Sequence, residues 1–287
     1  MQLEVKTYAK VNLGLYITGK RPDGYHELCS IFLPVELHDV LSVSLLKDGN
    51  AGLKITTSGP FAKQCPVDEK NILHKVFKEL NKNISVSVNI QKNIPAEAGL
   101  GGGSSNAAGF LKALNKLCEL NLSDQELKKI AVRVGADVPF FIDSKPALVE
   151  GVGDKITPFE LKKDYWIVIA KPATGLGTAS VYHSFTLNLT LINTNARQTE
   201  HLRSLSFQGL KGAGELKKLS NDLEGTGVRL MPEISQVKAF LDSMGPLVTM
   251  MSGSGSSVFA IFDREIKSIP EPGRKDWFLC TTKVLRG

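Results

Sequence analysis

Apolar residues recur along this chain with two periods, and these divide it into strand and helix candidates. Near the start, Val5, Thr7, Ala9, Val11, Leu13, Leu15 and Ile17 alternate with Lys6, Tyr8, Lys10, Asn12, Gly14 and Tyr16, the period of a half-buried strand. Lys10 and Asn12 fall two apart on its more polar face, which is either a solvated strand edge or a place for chemistry. Ile84, Val86, Val88 and Ile90 alternate in the same way with Ser85, Ser87, Asn89 and Gln91. Shorter apolar stretches at 31–35, 40–46, 53–57, 165–170, 247–251, 258–262 and 277–285 read as further strands. Helical spacing takes over elsewhere. Ile72, Leu73, Val76, Phe77 and Leu80 predict a helix over 71–80, and Ala107, Phe110, Leu111, Leu114, Leu117 and Cys118 one that starts near Ser104. Ser123-Asp-Gln-Glu126 is a capping box opening a helix that turns Leu127, Ile130, Ala131 and Val134 inward, with Gly135 as its C-terminal cap. A last helix carries Pro232 in its first turn, buries Ile234, Val237, Leu241 and Met244, and stops at Gly245. Residues 150–158 read as a connection between domains, and 188–220 are polar and irregular.

The junction of the 84–91 strand and the helix after it holds the most informative stretch, Pro95-Ala-Glu-Ala-Gly-Leu-Gly-Gly-Gly-Ser-Ser-Asn-Ala-Ala108, with four glycines in five residues. Glycine admits positive φ and lets a ligand reach the main chain with no Cβ in the way. A helix start adds N–H groups without intrahelical partners and the positive end of the helix dipole, so the guest such a loop suits is a phosphate. No Lys follows Gly103, which excludes the Walker pattern. Counting from Gly99, the dinucleotide fingerprint would require glycine at Ser104, which excludes that pattern too.

Three other places carry possible chemistry. Pro22-Asp-Gly24 is a turn that delivers Tyr25 and His26 side by side; the pair is either incidental or a holder for a planar heterocycle. Asp137, in Gly135-Ala-Asp-Val-Pro-Phe-Phe-Ile142, is either a turn aspartate or a general base in a partly apolar pocket. Ser252-Gly-Ser-Gly-Ser-Ser257 is either a flexible hairpin or a second row of backbone N–H groups facing an anion.

Composition narrows the classes. The 287 residues are 42% hydrophobic and 22% charged, ordinary for a globular chain, and the length suggests about two domains. No apolar run approaches a membrane span and the first residues lack a signal-peptide layout, so a cytoplasmic protein is expected. Cys29, Cys65, Cys118 and Cys280 are scattered with no Cys-x-x-Cys pair, which argues against a disulfide framework or a zinc site. The net charge of +6 comes from dispersed basic residues, which suits a polyanionic small molecule or simply a mildly basic enzyme surface, and not a nucleic acid.

Taken together, these residues resemble the GHMP kinases. Pro95-x-x-x-Gly-Leu-Gly-Gly-Gly-Ser-Ser-Asn-Ala-Ala is similar to that family's phosphate loop, and Met251-Ser-Gly-Ser-Gly-Ser-Ser-Val-Phe259 to its third motif. Ala9-Lys-Val-Asn-Leu-Gly-Leu15, Gly19-Lys-Arg-Pro-Asp-Gly-Tyr-His-Glu-Leu28, Gly135-Ala-Asp-Val-Pro-Phe140 and Asn221-Asp-Leu-Glu224 resemble the branch that phosphorylates a cytidine diphosphate-linked methylerythritol in the non-mevalonate route to isoprenoid precursors. The resemblance spans nearly the whole chain and fails between about 188 and 220. It implies a two-domain α+β GHMP kinase fold with the active site in the inter-domain cleft, and domains at 1–157 (ATP-binding) and 158–287. The implied catalytic pair is Asp137, taking the hydroxyl proton, and Lys10, stabilising charge. ATP, with magnesium arriving on it and no protein ligand for the metal implied, would sit at Lys92, Pro95, Gly99, Leu100, Gly101, Gly102, Gly103, Ser104 and Ser105. Asn12, Tyr25, His26 and Tyr182, together with Gly253, Ser254 and Gly255, would hold the cytidylyl substrate, with cytosine between Tyr25 and Tyr182. The resemblance further implies a small-molecule enzyme, monomeric or weakly dimeric, with no nucleic-acid or membrane partner. The rival readings are a GHMP kinase for homoserine, mevalonate or a sugar, and a nucleotide-binding regulator without catalysis.

Overall fold

The computed structural model describes residues 2–46, 51–187, 189–210 and 213–286. They form two compact units that are not successive halves of the sequence. One comprises Met1–Ala9, Leu37–Ala96 and Gly101–Ser144; the other comprises Lys10–Glu36, Glu97–Leu100 and Lys145–Gly287.

The two longest strands, β1 (Gln2–Lys20) and β2 (His26–Leu45), pair with each other and contribute residues to both units. The apolar stretches at 31–35 and 40–46 are one strand, because the intervening Glu36, His38 and Asp39 continue its extended backbone. In the first unit the end of β2 pairs antiparallel with β4 (Ser85–Gln91), from Val40 opposite Gln91 to Leu45 opposite Val86, and β3 (Gly52–Ser58) runs parallel to β4. Around them lie α1 (Leu73–Leu80), α2 (Gly102–Leu117), α3 (Asp124–Val134) and the single turn α4 (Phe140–Asp143).

Helix α2 buries Ala107, Ala108, Phe110, Leu111 and Leu114 and packs on α1, α3 and α4. It also approaches β1 and β2 closely at Gly109, where a Cβ would stand 2.3 Å from Thr7 Cγ2. It starts at Gly102, earlier than the apolar spacing suggests, because its first turn is small and polar and carries no periodic signal. The Ser123–Glu126 capping box is formed in both directions at α3. Gly135 follows that helix in an extended conformation (φ 178°), so it is not the left-handed cap expected.

In the second unit the beginning of β2 pairs antiparallel with β5 (Ala147–Gly151), which turns back into β6 (Lys155–Pro158). Residues 150–158 are therefore a hairpin and not a linker; Gly151 and Gly153 take positive φ at its bend. A separate antiparallel sheet has the order β10-β7-β9-β8, from β7 (Trp166–Lys171), β8 (Val248–Met251), β9 (Val258–Phe262) and β10 (Phe278–Lys283). Helix α5 (Thr178–Ser184) follows β7. The stretch 188–220, which shows no periodicity, holds α6 (Leu189–Phe207) and the short α7 (Ala213–Leu216); residues 188, 211 and 212 lie outside the described residues. The inward face of α6 is partly polar, with Asn195, Thr199 and Ser206 buried beside Leu202 and Leu205, and this hides its period. The last helical stretch is two helices, α8 (Glu224–Leu230) and α9 (Glu233–Asp242), separated at Pro232, whose ring removes a backbone donor. Leu15 and Ile17 of β1, Val181, Leu223, Ile234, Val237 and Leu241, and inward residues of the four-stranded sheet share one apolar cluster.

Candidate active site

The second unit assembles most of the polar residues that the sequence singles out. Lys10 and Asn12 are not on a solvated strand edge: they are 4% and 1% exposed. The polar face of β1 is covered here. Gly14 lies against Leu202 of α6 and Met250 of β8, and the Tyr16 hydroxyl accepts from Ser220 N (3.0 Å). Lys10 Nζ donates to Asn12 Oδ1 (2.5 Å) and stands 4.5 Å from the centre of the Phe32 ring. Asn12 Nδ2 donates to Ser30 Oγ (3.1 Å), which donates to Gly14 O (2.6 Å). The carboxamide of Asn12 is thereby oriented with its oxygen toward the lysine.

The two small-residue loops meet beside this pair. Lys10 N donates to Leu100 O (3.0 Å), Ser257 N to Ala98 O (3.2 Å), Ser256 N to Glu97 O (3.3 Å) and Ser252 Oγ to Gly99 O (2.9 Å). Gly99 has φ +70°, and a Cβ on it would lie 1.9 Å from Ser252 O, so the glycine is required by the loop-to-loop approach itself. Gly253 has φ +57°, and a Cβ on it would stand 3.0 Å from Asn12 Oδ1 and 3.6 Å from Lys10 Nζ. Ser254 Oγ is 3.0 Å from Thr178 Oγ1, at the start of α5. Lys10, Asn12, Gly99, Leu100, Gly253, Ser254 and Gly255 are thus brought into one neighbourhood.

At the start of β2, His26 lies 5.4 Å from Tyr182 of α5, at 35°, and 6.1 Å from Phe185, nearly edge-on. Tyr25 is 64% exposed, so the ring set against His26 is Tyr182, with Phe185 beside it. Burial, and then the charge of Lys20, hold the His26 imidazole below its usual pKa of 6.5. A neutral ring keeps one donor and one acceptor, which is what reading the polar edge of a heterocycle requires.

The first unit contributes the other part of the glycine loop. Gly101 has φ +69° and precedes α2, Ser105 N donates to Gly101 O (2.9 Å), and no side chain caps the helix. A Cβ on Gly103 would meet nothing within 4 Å. The fold does not need glycine at that exposed position; a group lying against the first turn would. These features fit a phosphate, whose oxygens accept from first-turn N–H groups.

Lys92 lies beneath the same helix start. Its ammonium is paired at 2.6 Å with Asp39 Oδ2, Asp39 is fully buried, and Asp39 Oδ1 accepts from Asn93 N (2.7 Å) and Ile94 N (2.8 Å). A Cβ on Gly102 would be 3.0 Å from Lys92 Nζ. Asp39 was not legible in the sequence: it stands in the polar run with Glu36 and His38 in the middle of a strand, and only the tertiary fold brings Lys92 to it. Asp137, half-buried, occupies the turn between α3 and α4. Among the described residues, no group of three or more His, Cys, Asp or Glu is placed to hold a metal ion.

Comparison with known proteins decides the class. Residues 70–145 match the GHMP kinases N terminal domain and residues 204–271 the GHMP kinases C terminal domain. A 4-diphosphocytidyl-2-C-methyl-D-erythritol kinase of Clostridium beijerinckii is 37% identical over 271 residues, 93% of each chain. One from Citrifermentans bemidjiense is 39% identical over 92% of this chain and 91% of its own. The chain belongs to the 4-diphosphocytidyl-2-C-methyl-D-erythritol kinase family of GHMP kinases. A solved 4-(cytidine 5'-diphospho)-2C-methyl-D-erythritol kinase superposes with a TM-score of 0.68 at 29% identity, covering 98% of this chain and 99% of its own. In this GHMP kinase the Asn221-Asp-Leu-Glu224 string acquires a physical role. Asn221 Nδ2 donates to Met251 O (2.8 Å) and Gly253 O (2.7 Å), Asp222 Oδ2 accepts from Ile17 N (2.7 Å), and Glu224 Oε2 accepts from Met251 N (2.9 Å).

Proposed function

We propose that this chain transfers the γ-phosphoryl group of ATP to the 2-hydroxyl of 4-diphosphocytidyl-2-C-methyl-D-erythritol, a step of non-mevalonate isoprenoid precursor synthesis. The observation that carries the reading is the joining of the Lys10–Asn12 pair to both small-residue loops in a chain of this family. The new bond runs from the substrate oxygen to the γ-phosphorus, the bond from that phosphorus to the β,γ-bridging oxygen breaks, and ADP leaves. Asp137 takes the hydroxyl proton, and Lys10 stabilises the alkoxide as it forms.

Gly99, Leu100, Gly101, Gly102, Gly103, Ser104 and Ser105, with Pro95 and Lys92 beside them, hold the ATP, chiefly through backbone amides. Positioning and charge stabilisation supply most of the catalysis in phosphoryl transfer, which suits such a loop. Magnesium carried in on the nucleotide would supply neutralisation of the phosphate charge. His26, with Tyr25, Tyr182 and Phe185 around it, reads the cytosine, and Asn12, Gly253, Ser254 and Gly255 face the remainder of the substrate.

As sequence domains we propose 1–157 and 158–287, although the compact units interleave. The four free cysteines and the absence of any helix long and apolar enough to cross a membrane, among the described residues, support a cytoplasmic setting.

A coupled ADP-release assay with ATP and a panel of alcohols tests the reading. ADP release is expected with the cytidylyl alcohol and not with homoserine, mevalonate or galactose. Turnover of one of those three without the cytidylyl alcohol would replace the substrate assignment.

A further inference from the structure

The segment 220–223 bonds to β1 on one side and to the loop 252–257 on the other. Toward β1, Leu15 N donates to Ser220 O (3.0 Å), Asp222 N donates to Leu15 O (2.9 Å), and Asp222 Oδ2 accepts from Ile17 N (2.7 Å). Toward the loop, the buried Asn221 carboxamide donates to the carbonyls of Met251 (2.8 Å) and Gly253 (2.7 Å), while its oxygen accepts from Leu223 N (2.9 Å). Only a primary amide offers two donors and an acceptor on one short side chain. The residue whose carbonyl it holds, Gly253, stands beside the Lys10–Asn12 pair: a Cβ added to it would lie 3.0 Å from Asn12 Oδ1 and 3.6 Å from Lys10 Nζ.

We infer that Asn221 is a positioning residue for the phosphoryl-transfer step: by fixing the Gly253 peptide it sets where the Lys10 ammonium stands. This rests on the function proposed above, and it goes further by placing a determinant of rate on a residue that faces neither nucleotide. Released from Asn221, the Gly253 carbonyl loses its partner and the peptide drifts relative to Lys10. A misplacement of about 1 Å near reacting groups costs on the order of 10²-fold in rate. The loss therefore falls chiefly on kcat, with any rise in KM confined to the cytidylyl substrate that Gly253 faces, and not on the affinity for ATP.

The test compares wild type, Asn221→Ala and Asn221→Asp in kcat and in KM for each substrate, with a thermal melt of each variant. In Asn221→Ala, kcat is expected to fall about tenfold or more while KM for ATP stays within about threefold. Asn221→Asp adds a signature that a general loss of stability would not produce. Its carboxylate would face two carbonyl oxygens and repel them, whereas the protonated acid donates one hydrogen bond to them. Its kcat relative to wild type should therefore rise as pH is lowered from about 8 toward about 5.5. The charged groups around that position are Lys10 across the Gly253 peptide, Asp222 on the same segment, and the Glu224–Lys238 ion pair between α8 and α9.

A folded Asn221→Ala variant with wild-type kcat, a loss confined to KM, or a pH-independent Asn221→Asp ratio would each overturn the inference. If both variants fail to melt cooperatively, Gly253→Ala, which pushes on Asn12 from the loop side, carries the test: a kcat-selective loss supports the inference and an unchanged kcat overturns it. Wild type that releases no ADP with the cytidylyl alcohol would defeat the substrate reading alone. The variants would then be compared on whichever alcohol the wild type turns over.

Discussion

At the scale of single residues, the polar groups of this protein fall into those that hold the framework and those left for chemistry. Lys92 and Asp39 belong to the first kind, whatever else the lysine does: the pair is buried at 2.6 Å, and Asp39 also accepts two backbone N–H groups ahead of the glycine loop. Breaking a buried pair leaves an uncompensated charge in a medium that solvates it poorly. Asp39→Asn is expected to cost about 3–5 kcal/mol, read as a lower denaturant midpoint at unchanged m-value. The double variant Asp39→Asn/Lys92→Met should recover much of that loss, and no recovery would show that the charge is not the cause. Asp137 tests the other kind. Asp137→Ala should reduce turnover by about 10²–10⁴-fold while ATP still binds, as followed by nucleotide fluorescence. Near-wild-type turnover in that variant would remove Asp137 from the mechanism.

At the scale of elements, the glycine loop is two devices in one string. Gly99 serves the protein: the approach of the loop at 252–257 leaves no room for a Cβ, and its φ is positive. Gly103 has open space and an ordinary backbone, so its bareness serves whatever lies against the start of α2. The two alanine variants should separate. Gly99→Ala is expected to lower the melting temperature markedly and to impair turnover with it. Gly103→Ala should melt at or above the wild-type temperature, since alanine is favoured over glycine in a helix by about 1 kcal/mol. Its KM for ATP should nevertheless rise about tenfold, equivalent to about 1.4 kcal/mol of lost binding. Equal effects of the two substitutions on stability would contradict this division.

At the scale of the whole molecule, the groups most strongly displaced by burial lie in the second unit. Burial pushes the Tyr165 hydroxyl from 10.0 up to about 12, and that hydroxyl donates to Leu210 O at 2.5 Å. The Cys29 thiol is pushed from 9.0 to about 12 and Cys280 from 9.0 to about 11, both chiefly by burial. These acids are neutral when protonated, and the folded chain keeps its protons to higher pH than the unfolded chain. The stability they contribute is therefore fully present below pH 9.0 and is lost as pH rises toward about 12. Denaturation midpoints measured across that range should fall with each step, and alanine at Cys280 should flatten part of the slope. A midpoint that stays level from pH 9.0 to pH 11 would show that these groups reach solvent in the folded state.

The sequence by itself determined the class of chemistry. Strand alternation, helix period and the run of small residues from Gly99 to Ser105 are local signals, because backbone propensity and the position of a glycine act within a few residues. The capping box at Ser123 and the strands at 84–91, 247–251 and 258–262 were legible for the same reason. Helix α6 was not, because its inward face is partly polar: Asn195 is buried against Ile17 O and Asp222, which lie far along the chain, and Thr199 bonds back to Ala196 O. The same holds for the Asp39–Lys92 pair and for Asn221 bonded to the Gly253 carbonyl. A buried polar side chain is stable only where distant groups satisfy it, and those groups become its neighbours only when the chain folds.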